Sequence, residues 1–148
     1  MRCFKQTTLR RWGRMLAAVA LLAGCAATQS PATLYERLGG LPAITALVDK
    51  SVDRHVADPR THHTFDGINL KALKASIVSQ VCNASGGPCK YEGATMIEAH
   101  RELAITPLQF DVVIGHIRAS LDELHVGARE QQELLQIILP MKPDIVGH

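Results

Sequence analysis

Beyond residue 33 the apolar side chains recur at steps of three and four, and no stretch alternates long enough to make a strand. The longest series is Phe110, Val113, Ile114, Ile117, Leu121 and Leu124, opened by Thr106-Pro107 and stopped, on this reading, by Gly127. The same period carries Ile44, Leu47, Val48, Val52 and Val56. Pro42 falls in that helix's first turn, where its missing N–H costs nothing, and Asp58-Pro59 ends it. A third series, Leu70, Leu73, Ile77, Val78 and Val81, follows Asn69 as a cap. The last runs from about Ala128 to Leu139, through Leu134, Leu135, Ile137 and Ile138, until Pro140 and Pro143 terminate it. Thr33 to Leu38 adds one or two turns before Gly39-Gly40. There is no internal repeat, and 148 residues suit one domain, so the fold expected is all-α.

The stretch Tyr91 to Thr106 reads as a turn, a short helix and a second turn, with Thr95 and Glu98 as a capping box. Met96 lies four residues before His100 and Leu103 three after, which puts all three on one face, apolar apart from the imidazole. One reading is a core histidine bonded to a carbonyl. The other is a metal ligand, since a neutral imidazole offers one ring nitrogen as a lone pair. Aromatic residues make up only 4% of the chain, so aliphatic side chains must fill the core unless a large flat ligand occupies its middle.

The first 24 residues read as an address rather than as structure. Arg2, Lys5, Arg10, Arg11 and Arg14 precede an apolar run, Met15 to Gly24, too short to span a membrane but suited to a secretory signal. Leu22-Ala23-Gly24-Cys25 resembles the bacterial lipobox, in which the cysteine is lipidated and becomes the new N-terminus. Residues 25–32 are then a polar tether and residues 33–148 the folded domain, held by its lipid on the periplasmic side of a membrane. Ala26 fits sorting to the outer membrane. Five of the 16 basic residues lie in the signal and none of the 14 acidic ones, so the mature chain has 11 basic residues against 14 acidic. No basic footprint for nucleic acid remains. Cys82 and Cys89 flank Ser85-Gly86-Gly87-Pro88, and outside the cytoplasm such a pair reads as a disulfide. The rival is a zinc site with His62 and His63, whose spacing fits no usual zinc pattern.

Several of these marks occur in a set order. Gly39-Gly40 follows a short helix, Phe65 precedes Asp66-Gly67, and Tyr91-Glu92-Gly93 precedes the histidine helix. His100 follows Met96 by four, and Gly115-His116 lies inside the next long helix. From Thr33 to about Pro140 the chain resembles a group 1 truncated haemoglobin, a small globin with a two-over-two helical sandwich. The resemblance implies a haem cofactor, His100 as the proximal ligand and Phe65 packed on the porphyrin. It also implies a diatomic gas as the bound partner. Met96, Leu103, Ile105, Phe110 and Val113 would line the proximal side by helical spacing, each with an ordinary core position as its alternative. Lys71 and Lys74 edge the expected pocket, where they reach the haem propionates or face solvent.

The distal side departs from the family. Many relatives carry a tyrosine on the second helix and glutamine on the third, both bonding to oxygen. The matching positions here hold Val52 and Ile77, with Leu73 between them, and none can donate a hydrogen bond. A distal donor is worth about 1–3 kcal/mol to dioxygen, so its absence implies release roughly 5- to 150-fold faster. Carbon monoxide and nitric oxide depend less on such a bond.

Other functions stay open on the sequence. His55, His62 or His63 would make the iron bis-histidyl and suit electron transfer, with all three facing solvent as the expected alternative. A nitric oxide-detoxifying enzyme or a peroxidase would use the same site, though Val52, Leu73 and Ile77 offer peroxidase chemistry no acid–base group. A globin-shaped lipoprotein without haem is the third class. The residues identify no redox partner.

Overall fold

The computed structural model describes residues 31–148, so the expected signal, Cys25 and most of the tether lie outside the described residues. Helix α1 (Leu34–Leu38) is only five residues long and is held by its ends. Thr33 and Glu36 form a reciprocal capping box, and Gly39 takes a left-handed φ of +99° that closes the helix and turns the chain straight into α2 (Gly40–Ala57). Asp58 ends α2, and a single 3-10 turn, His62–Phe65, carries Phe65. Asn69 caps α3 (Leu70–Ala84), its side-chain oxygen accepting from the Ala72 N–H at 3.1 Å. Then come α4 (Met96–His100), α5 (Pro107–Glu123) and α6 (Ala128–Ile138). The described residues contain no strand, so the fold is all-α as expected.

Two boundaries differ from the sequence reading. Gly127 does not stop α5. The helix ends at Glu123, and His125 makes the left-handed step with φ +54° while the Val126 N–H donates back to the Leu121 carbonyl at 3.0 Å. Gly127, with φ −60°, instead precedes α6 as its cap. Pro140 and Pro143 end the α-helix at Ile138 but not the winding, which continues as a 3-10 segment, Leu139–Asp144.

α2 is the central element, packed on α3 along one side and on α5 along another, with α1 laid across α2 and α6. Its buried stripe of Ile44, Leu47, Val48 and Val52 meets Leu121 of α5 and Leu134 of α6. A second, smaller cluster of Phe110, Ile114 and Leu135 lies between α5 and α6. Ion pairs stitch the outer surface, Arg37 to Glu130 and Glu133 between α1 and α6, Lys50 and Arg54 to Glu123 between α2 and α5. Cys82 and Cys89 are joined in a disulfide that ties the last turn of α3 to the loop leading to α4, with Cα atoms 5.8 Å apart. The apolar stripe of α3 is a notable exception to this packing. Leu73, Ile77 and Val81 are only partly covered by protein, because they face a cavity.

Candidate haem site

A helix of five residues cannot stand alone in water, so the ends of α4 decide where His100 sits. At its start the Glu98 carboxylate accepts from the Thr95 N–H at 2.9 Å, and the Thr95 hydroxyl accepts from the Glu98 N–H at 3.3 Å. The bonds from Thr95 draw the Glu98 carboxyl below its ordinary range. Just before, Tyr91 folds over Gly93 and donates its hydroxyl to the Ala94 carbonyl at 2.7 Å. A Cβ at Gly93 would come within 2.6 Å of the Tyr91 ring, so the close approach needs glycine. Beyond His100, Glu102 and Ala104 adopt left-handed backbone, φ +67° and +48°, which is costly for residues with a Cβ. The end of the chain holds them there. The Ala104 N–H donates to the His148 carbonyl at 2.8 Å, and the Gly147 N–H to the Ile105 carbonyl at 3.0 Å.

His100 Nδ1 lies 2.8 Å from the Met96 carbonyl oxygen. A carbonyl can only accept, so Nδ1 carries the proton and donates, and in the neutral ring Nε2 is left as a bare lone pair. Binding through one nitrogen while the other donates to a carbonyl is the arrangement that fixes and orients metal-binding histidines. The carbonyl bond expected of a core histidine is present, and it leaves Nε2 free as a ligand would need it.

His100 lies in the wall of a cavity of about 300 Å³. α2 contributes Val52 to that wall, the 3-10 turn Phe65, and α3 Leu73 and Ile77. Met96, Leu103 and Ile105 come from α4 and the turn after it, and Phe110 and Val113 from α5. Lys74 is the site candidate that the structure takes elsewhere. Its ammonium pairs with Asp53 at 2.6 Å and Asp49 at 3.4 Å, because the acidic outer face of α2 runs beside α3, and it does not line the cavity. Both carboxylates raise its pKa, that of Asp53 most.

Polar groups also stand in the wall, where the apolar spacing does not place them. Gln80 donates its side-chain amide to the Met96 sulfur at 3.4 Å, linking α3 to α4. Ser51, 5% exposed, has a hydroxyl oxygen with no hydrogen-bond partner among the described residues. His55 is the largest correction. Expected at the surface, it is 6% exposed, stacked against Phe65 with ring centroids 6.1 Å apart, and in the cavity wall. Its Nδ1 lies 3.0 Å from Nδ1 of His116, whose Nε2 lies 3.1 Å from the Asp58 carboxylate. Burial first, and the neighbouring His116 second, push His55 down to about 4. Arg60, clasping Asp58 from outside, holds that carboxyl far below the usual range. One turn further on, His62 and His63 are exposed and outside the cavity.

The wall fits a flat apolar group with one metal atom. It is lined mostly by apolar side chains, it offers Nε2 of His100 from a ring fixed by the Met96 carbonyl, and its buried Ser51 hydroxyl is unmatched by protein among the described residues. A helical sandwich closed around such a slot defines a globin-type haem protein.

Comparison with known proteins agrees. The family model described as bacterial-like globin matches residues 33–146. A group 1 truncated hemoglobin of Mycolicibacterium paratuberculosis is 35% identical over 115 residues, 78% of this chain and 85% of that protein. The Fe(III) crystal structure of truncated hemoglobin from Tetrahymena pyriformis superposes with a TM-score of 0.75 at 31% identity, covering 79% of this chain and all of that one (100%). A Synechococcus 2/2 hemoglobin, solved in the cyanomet state with covalently attached heme, gives 0.74 at 27% identity over 79% of this chain and 100% of its own. The chain belongs to the bacterial-like globin family as a truncated haemoglobin, and its cofactor is haem.

Proposed function

We propose that this protein binds diatomic gases at a haem held by His100, in a pocket whose distal side is largely apolar, and that a lipid on Cys25 anchors it to a bacterial membrane. Haem, when bound, would supply an iron atom able to take a small ligand. Everything else is the work of the chain. His100 presents Nε2 to the metal because its Nδ1–H is committed to the Met96 carbonyl, and this is the observation that carries the reading. Phe65, Leu73, Ile77, Leu103 and Val113 offer the apolar faces that a porphyrin ring needs and keep water from the site.

Val52, Leu73 and Ile77 have no proton to donate, and several polar groups in the wall are already engaged. Thr64 gives its hydroxyl to the Thr61 carbonyl, Tyr91 to that of Ala94, and Gln80 its amide to Met96. With no donor at those three positions, dioxygen leaves roughly 5- to 150-fold faster than from a globin with polar residues there. Carbon monoxide and nitric oxide are held comparatively well.

The test is an absorption spectrum of the protein mixed with hemin, then reduced and exposed to carbon monoxide. A Soret band that shifts with carbon monoxide is expected, and His100→Ala should lose it or shift it to the position of free hemin. An unchanged spectrum in that variant would remove His100 from the role. Stopped-flow release of oxygen as slow as in polar-pocket globins would refute the apolar distal reading. For the anchor, radiolabelled palmitate should enter the wild-type protein in bacteria but not Cys25→Ser, and equal labelling would remove Cys25 as the acceptor.

A further inference from the structure

We propose that His55 and His116 act as one acid–base couple for the cavity, in which the proton is exchanged at His55 Nε2 and the charge is held at His116 beside Asp58. The hydrogen-bond geometry leaves two states. The Asp58 carboxylate can only accept, so His116 Nε2 carries a hydrogen and donates to it across 3.1 Å. The 3.0 Å contact between the two Nδ1 atoms holds a single hydrogen. When His116 is neutral, its Nδ1 is bare and must accept, so His55 donates from Nδ1 and its own Nε2 is a lone pair. When His116 is a cation, its Nδ1 donates, His55 Nδ1 must accept, and the neutral His55 ring carries its hydrogen on Nε2.

Nδ1 of His55 being spent on His116, Nε2 is the nitrogen left for the cavity, and it has no hydrogen-bond partner among the described residues. Passing between the states moves one proton. A weak acid HX entering the cavity gives its proton to His55 Nε2, the Nδ1 hydrogen crosses to His116, and X keeps the bonding pair as an anion. The reverse returns HX. The ligand class implied is therefore small weak acids that bind as their anions, with the compensating positive charge outside the cavity, next to a carboxylate. Burial that keeps the His55 ring neutral supports this division of labour.

The groups facing the couple are few. Asp58 and Arg60 stand at the end of α2 and bond each other. Lys50 and Arg54 of α2 are paired with Glu123 of α5. His62 and His63 on the 3-10 turn are exposed, His62 Nδ1 being 3.2 Å from the Pro59 carbonyl oxygen and His63 Nε2 3.1 Å from the Gln109 amide.

Nitrogen-15 NMR of the reduced, carbon monoxide-bound holoprotein separates protonated from bare ring nitrogens. The inference takes the cavity to be the haem pocket, as proposed above, but this titration reads two histidines whatever ligates the iron. Its failure is therefore distinct from that of the His100→Ala test. On acidification His55 should stay neutral while its hydrogen moves from Nδ1 to Nε2, at the same midpoint at which His116 becomes a cation. Asp58→Asn removes the carboxylate that stabilises that cation, so the shared midpoint should fall. Azide affinity of the ferric protein should show an inflection at the same midpoint, and His116→Phe should lose it. A His55 that keeps one tautomer while His116 titrates would overturn the couple, as would azide binding with no inflection there.

Discussion

His55 makes the stability of the domain depend on pH in a window of its own. Its folded pKa of about 4 lies below the ordinary 6.5, so the unfolded chain takes up a proton that the native one refuses. Stability should be full above pH 6.5, fall as the pH drops from there to about 4, and level off below, a loss of about 3 kcal/mol. Asp58 has the other sign. Its depressed pKa contributes stability that is present above the normal carboxylate range and is lost only at still lower pH. Urea denaturation at pH 7 and pH 4.5 tests the upper window, and His55→Phe should flatten it. Ser51 gives a second check, because its buried hydroxyl lacks a protein partner. Ser51→Ala removes that desolvated group and should leave the protein without bound ligand equally stable or about 1 kcal/mol more so. That His100 and Phe65 line the cavity was legible in the sequence, from apolar spacing for the first and from the family resemblance for the second. His55 was not. Three residues past Val52 it looks like one more helical position, and its partner His116 is 61 residues away. Lys74 misled for the same reason, as the carboxylates of Asp49 and Asp53 that claim it lie on another helix.

At the level of elements, capping residues do what helix length cannot. α1, α4 and α5 each begin with a threonine whose hydroxyl and a side chain three residues on satisfy one another's backbone donors. Caps of this kind show in the sequence, which is why the starts of these helices could be placed. The end of α5 could not, because the left-handed step falls on His125 and nothing in a histidine signals positive φ, whereas Gly127 does. For α4 the cap has functional weight, since it fixes the short helix that carries His100. Thr95→Ala should cost about 1 kcal/mol of stability. Because that loss is concentrated at the proximal helix, hemin transfer to apomyoglobin should also be faster than from the wild type. A similar loss of stability with unchanged transfer would mean α4 is held by packing alone. The disulfide acts on the neighbouring loop, and replacing Cys82 and Cys89 together by alanine should cost about 2.5 kcal/mol by the chain-entropy estimate for a loop of about eight residues. Thermal unfolding with and without reductant measures it.

Seen as one molecule, the domain has two apolar clusters and a gap. Ile44, Leu47, Val48, Leu121 and Leu134 fill one side, Phe110, Ile114 and Leu135 the other. Between them Leu73, Ile77, Met96, Leu103 and Val113 present apolar surface that protein covers only in part. With aromatic residues at 4%, no side chain is large enough to close that gap, so the cofactor is the missing piece of the core. Haem binds the native state and not the unfolded chain, so it stabilises by mass action. At free haem a thousandfold above its Kd the gain is about 4 kcal/mol, or roughly 15 °C in Tm for a domain of this size. Its removal should not act evenly. α2, α5 and α6 share the buried clusters and keep most of their contacts, while α3, though packed on α2, and α4 lose the surface they turn to the cavity. Hydrogen exchange of the apoprotein should therefore show protection retained over residues 44–52 and 110–121 and lost over 70–84 and 96–100. Equal protection with and without haem, at an unchanged Tm, would mean that the walls hold themselves apart and that the cavity is a preformed pocket rather than an unfinished core.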